Sequence, residues 1–265
     1  SGVTGKAVLL DNGASNTIDL RGVTVTGTLL IDSSWGNDTV YGSDAAETLL
    51  GGWGDDVLNG GGGGDTYLYA DSVDGKFQGY DKFADTGASG VDKIVATGAN
   101  SAIGVIGFGA SSGIEAIDVS GVTGKAVLLD NGASNTIDLR GITVSGKLTI
   151  DGSWGADTIF GGAAAETILG GGDNDVLDGG KGNDVLTGGS GYDKFHVTAG
   201  WGQDTITDFA IGKDKIDLHD VGITGFSALT LTQSGADTLV TTADGSFLLQ
   251  GIASSSITAA SFVFA

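Results

Sequence analysis

The sequence predicts an all-β fold, a right-handed parallel β-roll or β-helix solenoid closed by a C-terminal β segment. Three observations predict it. A nine-residue unit recurs in two blocks, at 33–68 and 152–196. Each unit joins a Gly/Asp-rich stretch of six residues to three residues with an apolar middle. A much longer repeat, of period 119, carries both blocks: residues 1–27 return as 120–146 with 25 of 27 identical.

The short units dictate the local structure. The first block divides into SSWGNDTVY, GSDAAETLL, GGWGDDVLN and GGGGGDTYL. The second divides into GSWGADTIF, GGAAAETIL, GGGDNDVLD, GGKGNDVLT and GGSGYDKFH, with a degenerate AGWGQDTIT at 199–207. Gly and Asp favour turns, Gly because it accepts positive φ and Asp because its short carboxylate bonds local backbone. The three residues that follow suit a short strand with its middle side chain inward. Those side chains are Val40, Leu49, Leu58 and Tyr67, then Ile159, Ile168, Leu177, Leu186 and Phe195. Two units make one coil, so each turn lies over the turn two units later.

Upstream of the second block, IEAIDV, KAVLLD, NTIDLR and KLTIDG start 10 to 12 residues apart. They predict wider coils of the same solenoid, and residues 1–32 predict the same for the first copy. The organisation expected is a first unit over 1–68, a connector or cap over 69–119, a second unit over 120–207, and a C-terminal cap over 208–265. The segment ITDFAIGKDKIDL (206–218) breaks the nine-residue phase and is expected to leave the roll. DTLVTTADGSFLLQG (237–251) predicts two alternating strands around an Asp-Gly turn, and the apolar SITAASFVFA an end-capping strand. The chain starts with Ser in a stretch that follows a strand in the other copy, which reads as a piece of something longer.

Composition narrows the chemistry. Of 265 residues 50 are Gly, none is Cys, Pro or Met, and the net charge is -21. Of 33 acidic residues only Glu47, Glu115 and Glu166 are Glu, leaving 30 Asp. Such acidity argues against nucleic acid, which wants a basic face. No apolar run approaches the ~20 residues of a membrane span. Without Cys, disulfides are not the stabilising device. A hard divalent cation fits instead, because Ca²⁺ takes six to eight oxygens. A Gly-rich turn offers converging carbonyls and one carboxylate. The expected metal ligands are Asp38, Asp56, Asp65, Asp157, Asp175, Asp184, Asp193 and Asp204. Their turns are shaped by Gly51, Gly54, Gly60, Gly63, Gly170, Gly179, Gly182, Gly188 and Gly191. The stacking pairs are Asp38/Asp56, Asp157/Asp175, Asp175/Asp193 and Asp184/Asp204. Two units depart from the pattern, with Ala45 and Ala164 for Gly and Glu47 and Glu166 for Asp. Sites at Glu47/Asp65 and Glu166/Asp184 are therefore expected to be weak or empty.

The unit G-G-x-G-x-D-x-U-x resembles the repeat of RTX, or haemolysin-type calcium-binding, proteins. The tail GYDKFHVTAGWGQDTITDFAIGKDKIDL with the terminal SITAASFVF is similar to the C-terminal region of type I secreted RTX proteins. The resemblance implies several bound Ca²⁺, export through type I secretion machinery, and folding on calcium outside the cell or at its surface. A structural or adhesive role follows, as in a surface-layer, matrix or adhesin segment. The alternative is the C-terminal secretion and stabilising region of a larger extracellular enzyme, a polysaccharide-active enzyme or protease with its catalytic domain upstream. Cell-surface polysaccharide and further copies of the chain are the candidate partners besides calcium; nucleic acid and membrane insertion are not expected.

No catalytic residue is expected, because no zinc helix, nucleophile elbow or phosphate loop appears. His196 and His219 are isolated histidines, and the chain reads as a non-enzyme. All four Trp (Trp35, Trp53, Trp154, Trp201) take the third position of a turn. Trp35 and Trp53 should stack, either as plain packing or as an aromatic rim for a glycan.

Overall fold

A computed structural model describes residues 6–69, 78–87 and 89–265. Residues 1–5 of the expected first unit, and 70–77 and 88 of the expected connector, lie outside the described residues. The chain forms two compact units, one of residues 1–130 and 141–148, the other of 131–140 and 149–265.

In the first unit, Lys6–Leu10, Thr28–Asp32, Glu47–Leu50, Thr66–Tyr69, Lys93–Gly98, Ala116–Val122 and Thr143–Ser145 form one seven-stranded sheet. Each neighbouring pair in it is parallel. Alternate strands of the chain, Thr17–Asp19, Thr39–Tyr41, Val57–Asn59 and Lys82–Phe83, form a second parallel sheet. Ser101–Val105 pairs in parallel with Ala126–Asp130. Successive strands thus alternate between sheets, as a solenoid of two strands per coil requires. The strands at 82–105 join these sheets, so the roll runs on beyond the nonapeptides.

In the second unit, Thr136–Asp138, Thr158–Phe160, Val176–Asp178, Lys194–His196, Lys215–Asp217 and Phe262–Val263 form a six-stranded parallel sheet. Opposite it run Leu148–Asp151, Thr167–Gly172, Val185–Ser190, Gln203–Ile206 and Ser246–Leu249. The expected hairpin is present: Asp237–Thr241 pairs antiparallel with Ser246–Leu249, and Thr230–Ser234 adds a third strand. The segment at 206–218 does not leave the roll. Lys215–Asp217 pairs with Lys194–His196, Phe195 opposite Ile216. The extra residues are absorbed in a turn, where Lys213 and Asp214 N–H donate to Ala210 O, and the strand triplet keeps its place.

The nine apolar residues read as core are all buried, between 0 and 3 % exposed. The short nonapeptide strands bury one apolar side chain each, and longer ones such as Thr66–Tyr69 and Lys93–Gly98 bury two. At roughly 25 cal/mol per Å², burial of each such residue contributes about 1.5–3 kcal/mol. The turns bury polar groups instead, and those groups form the site.

Candidate metal centre

Each nonapeptide places its acid immediately before the strand, where parallel pairing fixes its height. In the first unit Asn16, Asp38, Asp56 and Asp81 form one column. The Asn16 N–H donates to Asp38 Oδ1 (2.7 Å), Asp38 N–H to Asp56 Oδ1 (2.7 Å), and Asp56 N–H to Asp81 Oδ1 (3.0 Å). The opposite edge carries Glu47, Asp65, Asp92 and Glu115, linked in the same way at 2.6–2.7 Å. In the second unit Asn135, Asp157, Asp175, Asp193 and Asp214 form one column, at 2.8–3.1 Å. Glu166, Asp184 and Asp204 form the other, at 2.8 and 3.0 Å. All four stacking pairs read from the sequence are therefore neighbours.

These bonds use one oxygen of each carboxylate. The second, Oδ2 of Asp38, Asp56, Asp65, Asp175, Asp184 and Asp193 and Oε1 of Glu166, is buried without a hydrogen-bond partner. A buried, unpartnered carboxylate oxygen is costly. Repeated along both edges of each roll, it marks a place for a positive charge. Burial pushes the Asp56 carboxyl up to about 8, and neighbouring carboxylates push the same way. Burial likewise raises Asp65, Asp81, Asp175 and Asp204 to about 7, and Asp92 and Asp184 to about 6.

The first glycine of each turn keeps that space open. A Cβ on Gly170 would lie 2.5 Å from Asp175 Oδ2 and 2.6 Å from Gly188 O, so a carboxylate and a carbonyl oxygen converge there. Gly51, Gly179 and Gly188 stand equally close, at 2.5 Å, to Oδ2 of Asp56, Asp184 and Asp193. Gly60 faces Asp65 Oδ2. The fourth-position glycines Gly54, Gly63, Gly182 and Gly191 have positive φ and lie against backbone of the stacked turn. The donor set is all oxygen, which fits a hard cation such as Ca²⁺.

The two Glu turns differ from the rest. Glu47 accepts the Ser43 N–H (3.1 Å) on one oxygen and the Ser43 hydroxyl on the other. Glu166 accepts the Gly162 N–H (3.1 Å) on Oε2 and leaves Oε1 open. The longer side chain reaches back into its own turn.

Sequence reading missed Asp81, Asp92, Glu115 and Asp214 because the spacing there leaves the nine-residue phase. A signal existed: Gly79-Tyr80-Asp81-Lys82-Phe83 repeats Gly191-Tyr192-Asp193-Lys194-Phe195. Gly90-Val91-Asp92-Lys93-Ile94 has the same form. Of the histidines, His196 lies between carboxylates, Nδ1 3.2 Å from Asp178 and Nε2 3.1 Å from Asp220. The Trp35 and Trp53 rings stack 5.3 Å apart at 11°, with Trp35 61 % exposed. Trp154 is exposed, whereas Trp201 is buried.

The family model for the RTX calcium-binding nonapeptide repeat matches residues 32–67, 149–165 and 160–195. No curated protein matches the chain. Among solved structures, the R3 and R2 subunits of the mannuronan C5-epimerase AlgE6 of Azotobacter vinelandii are each 26 % identical over 51 and 53 % of this chain. The alignments span 80 and 92 % of those subunits, at TM-scores of 0.30 and 0.31. The extracellular lipase LipA of Serratia marcescens is 18 % identical over 92 % of this chain and 46 % of its own, at a TM-score of 0.30.

Proposed function

Taking the chain as an RTX calcium-binding repeat protein, we propose that it is a secreted structural or adhesive module that calcium folds after export. The ligands are Asp38, Asp56, Asp65, Asp157, Asp175, Asp184, Asp193 and Asp204, together with turn carbonyls. The observation that carries this reading is the row of buried carboxylate oxygens without a partner. Without cations the columns bring like charges together in a desolvated setting, where repulsion is strong. With cations each site adds binding free energy to folding, about 2.7 kcal/mol where calcium is 100-fold above the site's Kd. A chain of this kind stays open where calcium is scarce and closes where it is plentiful. The paired oxygens of Glu47 favour weak binding at Glu47/Asp65.

The close repetition of residues 1–27 at 120–146 and the Trp35–Trp53 stack, with Trp35 exposed, suit a surface that meets a glycan or a further copy of the chain. The secretion-like tail favours a second reading, in which the rolls stabilise and export an enzyme encoded upstream. The deciding experiment is a calcium titration of chelator-stripped protein followed by far-UV circular dichroism. A cooperative coil-to-β transition, with Mg²⁺ ineffective at the same concentration, is expected. A spectrum already fully β without calcium, and unchanged by it, would remove the basis of the proposal.

A further inference from the structure

Asp85 lies outside the nonapeptide units, yet it reaches one of the columns. Leu58 pairs with Phe83, so two residues on, Asp85 stands over Gly60, the first glycine of the turn that ends in Asp65. In several coils that position is itself a glycine, such as Gly188 over Gly170, and contributes only a carbonyl; over Gly188 stands Asp208, which accepts the Gly188 N–H (2.9 Å). Over Gly60 it contributes a carboxylate. Oxygens of Asp65, Asp85 and Asp92 lie within 4.8 Å of one another, and all three residues are buried. No ion pair among the described residues includes them. Asp65 is 0 % exposed, and its Oδ2 has no hydrogen-bond partner.

The carboxylate of Asp85 is held in place. Its Oδ2 accepts the Tyr67 hydroxyl (2.5 Å) and the Gly60 N–H (3.2 Å), and Oδ1 accepts the Gly87 N–H (2.8 Å). Tyr67 is a core side chain of the preceding strand, so this orientation is fixed by packing. From this geometry we infer that Asp65, Asp85 and Asp92 form a three-carboxylate Ca²⁺ site, in which Asp85 adds a carboxylate from outside the nonapeptides to the Asp65–Asp92 step of the column. It is the tightest of the first unit and fills first. The inference rests on the proposed calcium role of the columns. A spread of up to 4.8 Å between donors suits oxygens at ~2.3–2.6 Å from one ion. Mg²⁺ holds its ligands at ~2.0–2.1 Å and gives up water reluctantly, so it fits this fixed, buried set poorly.

The direct test is a long-wavelength anomalous difference map from crystals of the full chain grown in calcium. A peak within bonding distance of all three carboxylates is expected. Peaks elsewhere in the columns with none here would overturn this inference alone; no peak anywhere would overturn the calcium reading beneath it. In solution, equilibrium dialysis against calcium should count one ion fewer for Asp85→Asn than for the unaltered chain, with the first binding step weakened at least tenfold. An unchanged count with an unchanged first step would also overturn it. Should Asp85→Asn fail to fold, the map on the unaltered chain still decides.

Discussion

The turns that close on Asn and those that close on Asp occupy the same columns and solve the same problem differently. At Asn16 the side-chain amide lies 2.7–3.0 Å from both oxygens of Asp11, from Asn12 Oδ1 and from Ala14 O. At Asn135 it donates to Asn131 Oδ1 (2.8 Å) and Ala133 O (3.1 Å). One coil later Asp38 has an oxygen where the amide nitrogen would be, and that oxygen has no partner. An amide brings its own donors into the ring of oxygens; a carboxylate leaves the place for a cation. Replacing NH₂ by O therefore separates a turn that closes alone from one that leaves a buried oxygen unpartnered. The Asn turns stack on their neighbours 22 residues away, the Asp38, Asp157 and Asp175 turns 18.

Calcium removal should expose this contrast most strongly. Hydrogen exchange of the chelated protein is expected to lose protection throughout 33–68 and 152–196. The amides around Asn16 and Asn135 should lose much less. Equal loss at both kinds of turn would break the distinction.

Acidification should partly replace the cation. An unfolded Asp titrates near 3.8, whereas the folded values reach about 6 at Asp184, about 7 at Asp175 and about 8 at Asp56. Between these limits the folded state binds more protons than the unfolded one, so stability falls as pH rises. The metal-free protein should thus melt higher at pH 5 than at pH 8, by on the order of 5 °C. Thermal melts in chelator check this. Calcium should reverse the trend, because the ion needs the ionised form.

Much of this was legible because one triplet, D-x-U, sets both the column and the core. The inward residues and three of the four stacking pairs followed from the nine-residue phase alone, and Asp184/Asp204 from the degenerate unit at 199–207. Where insertions stretched a coil to 25 or 27 residues, as before Asp81 and Asp92, the phase was lost although the triplet survived. The register of a parallel sheet is held by the strand, so Lys82–Phe83 and Lys93–Gly98 pair in step despite the longer coils. Asp85 carries no such mark. Its role depends on standing over Gly60, which only the stretched coil reveals. Glu47 stood out as a departure from Asp, but its contact with Ser43 in its own turn did not.

A single substitution inside a column should change sign with calcium. Asp175→Asn keeps the Oδ1 that accepts the Asp157 N–H and removes a buried charge. In chelator it should stabilise the fold, making the Asp175 turn resemble the Asn turns. In saturating calcium it should destabilise the fold by roughly 1–3 kcal/mol through loss of a ligand. Urea melts with and without calcium would measure both, and the same sign in the two conditions would refute the comparison.

The smallest effect should be blind to calcium. Ser34 has φ 66° in the second position of its turn, where Gly52 one coil on has φ 89°. The left-handed region costs a residue with a Cβ roughly 1–2 kcal/mol, partly offset by the added chain entropy of glycine when unfolded. The Ser34 hydroxyl adds only a 3.4 Å contact to Asp32. Ser34→Gly should therefore raise stability by at most about 1 kcal/mol, equally in chelator and in calcium. A gain confined to the calcium-loaded state would mean that turn strain and ion binding are coupled, and that backbone shape as well as the missing donor sets the demand for the ion.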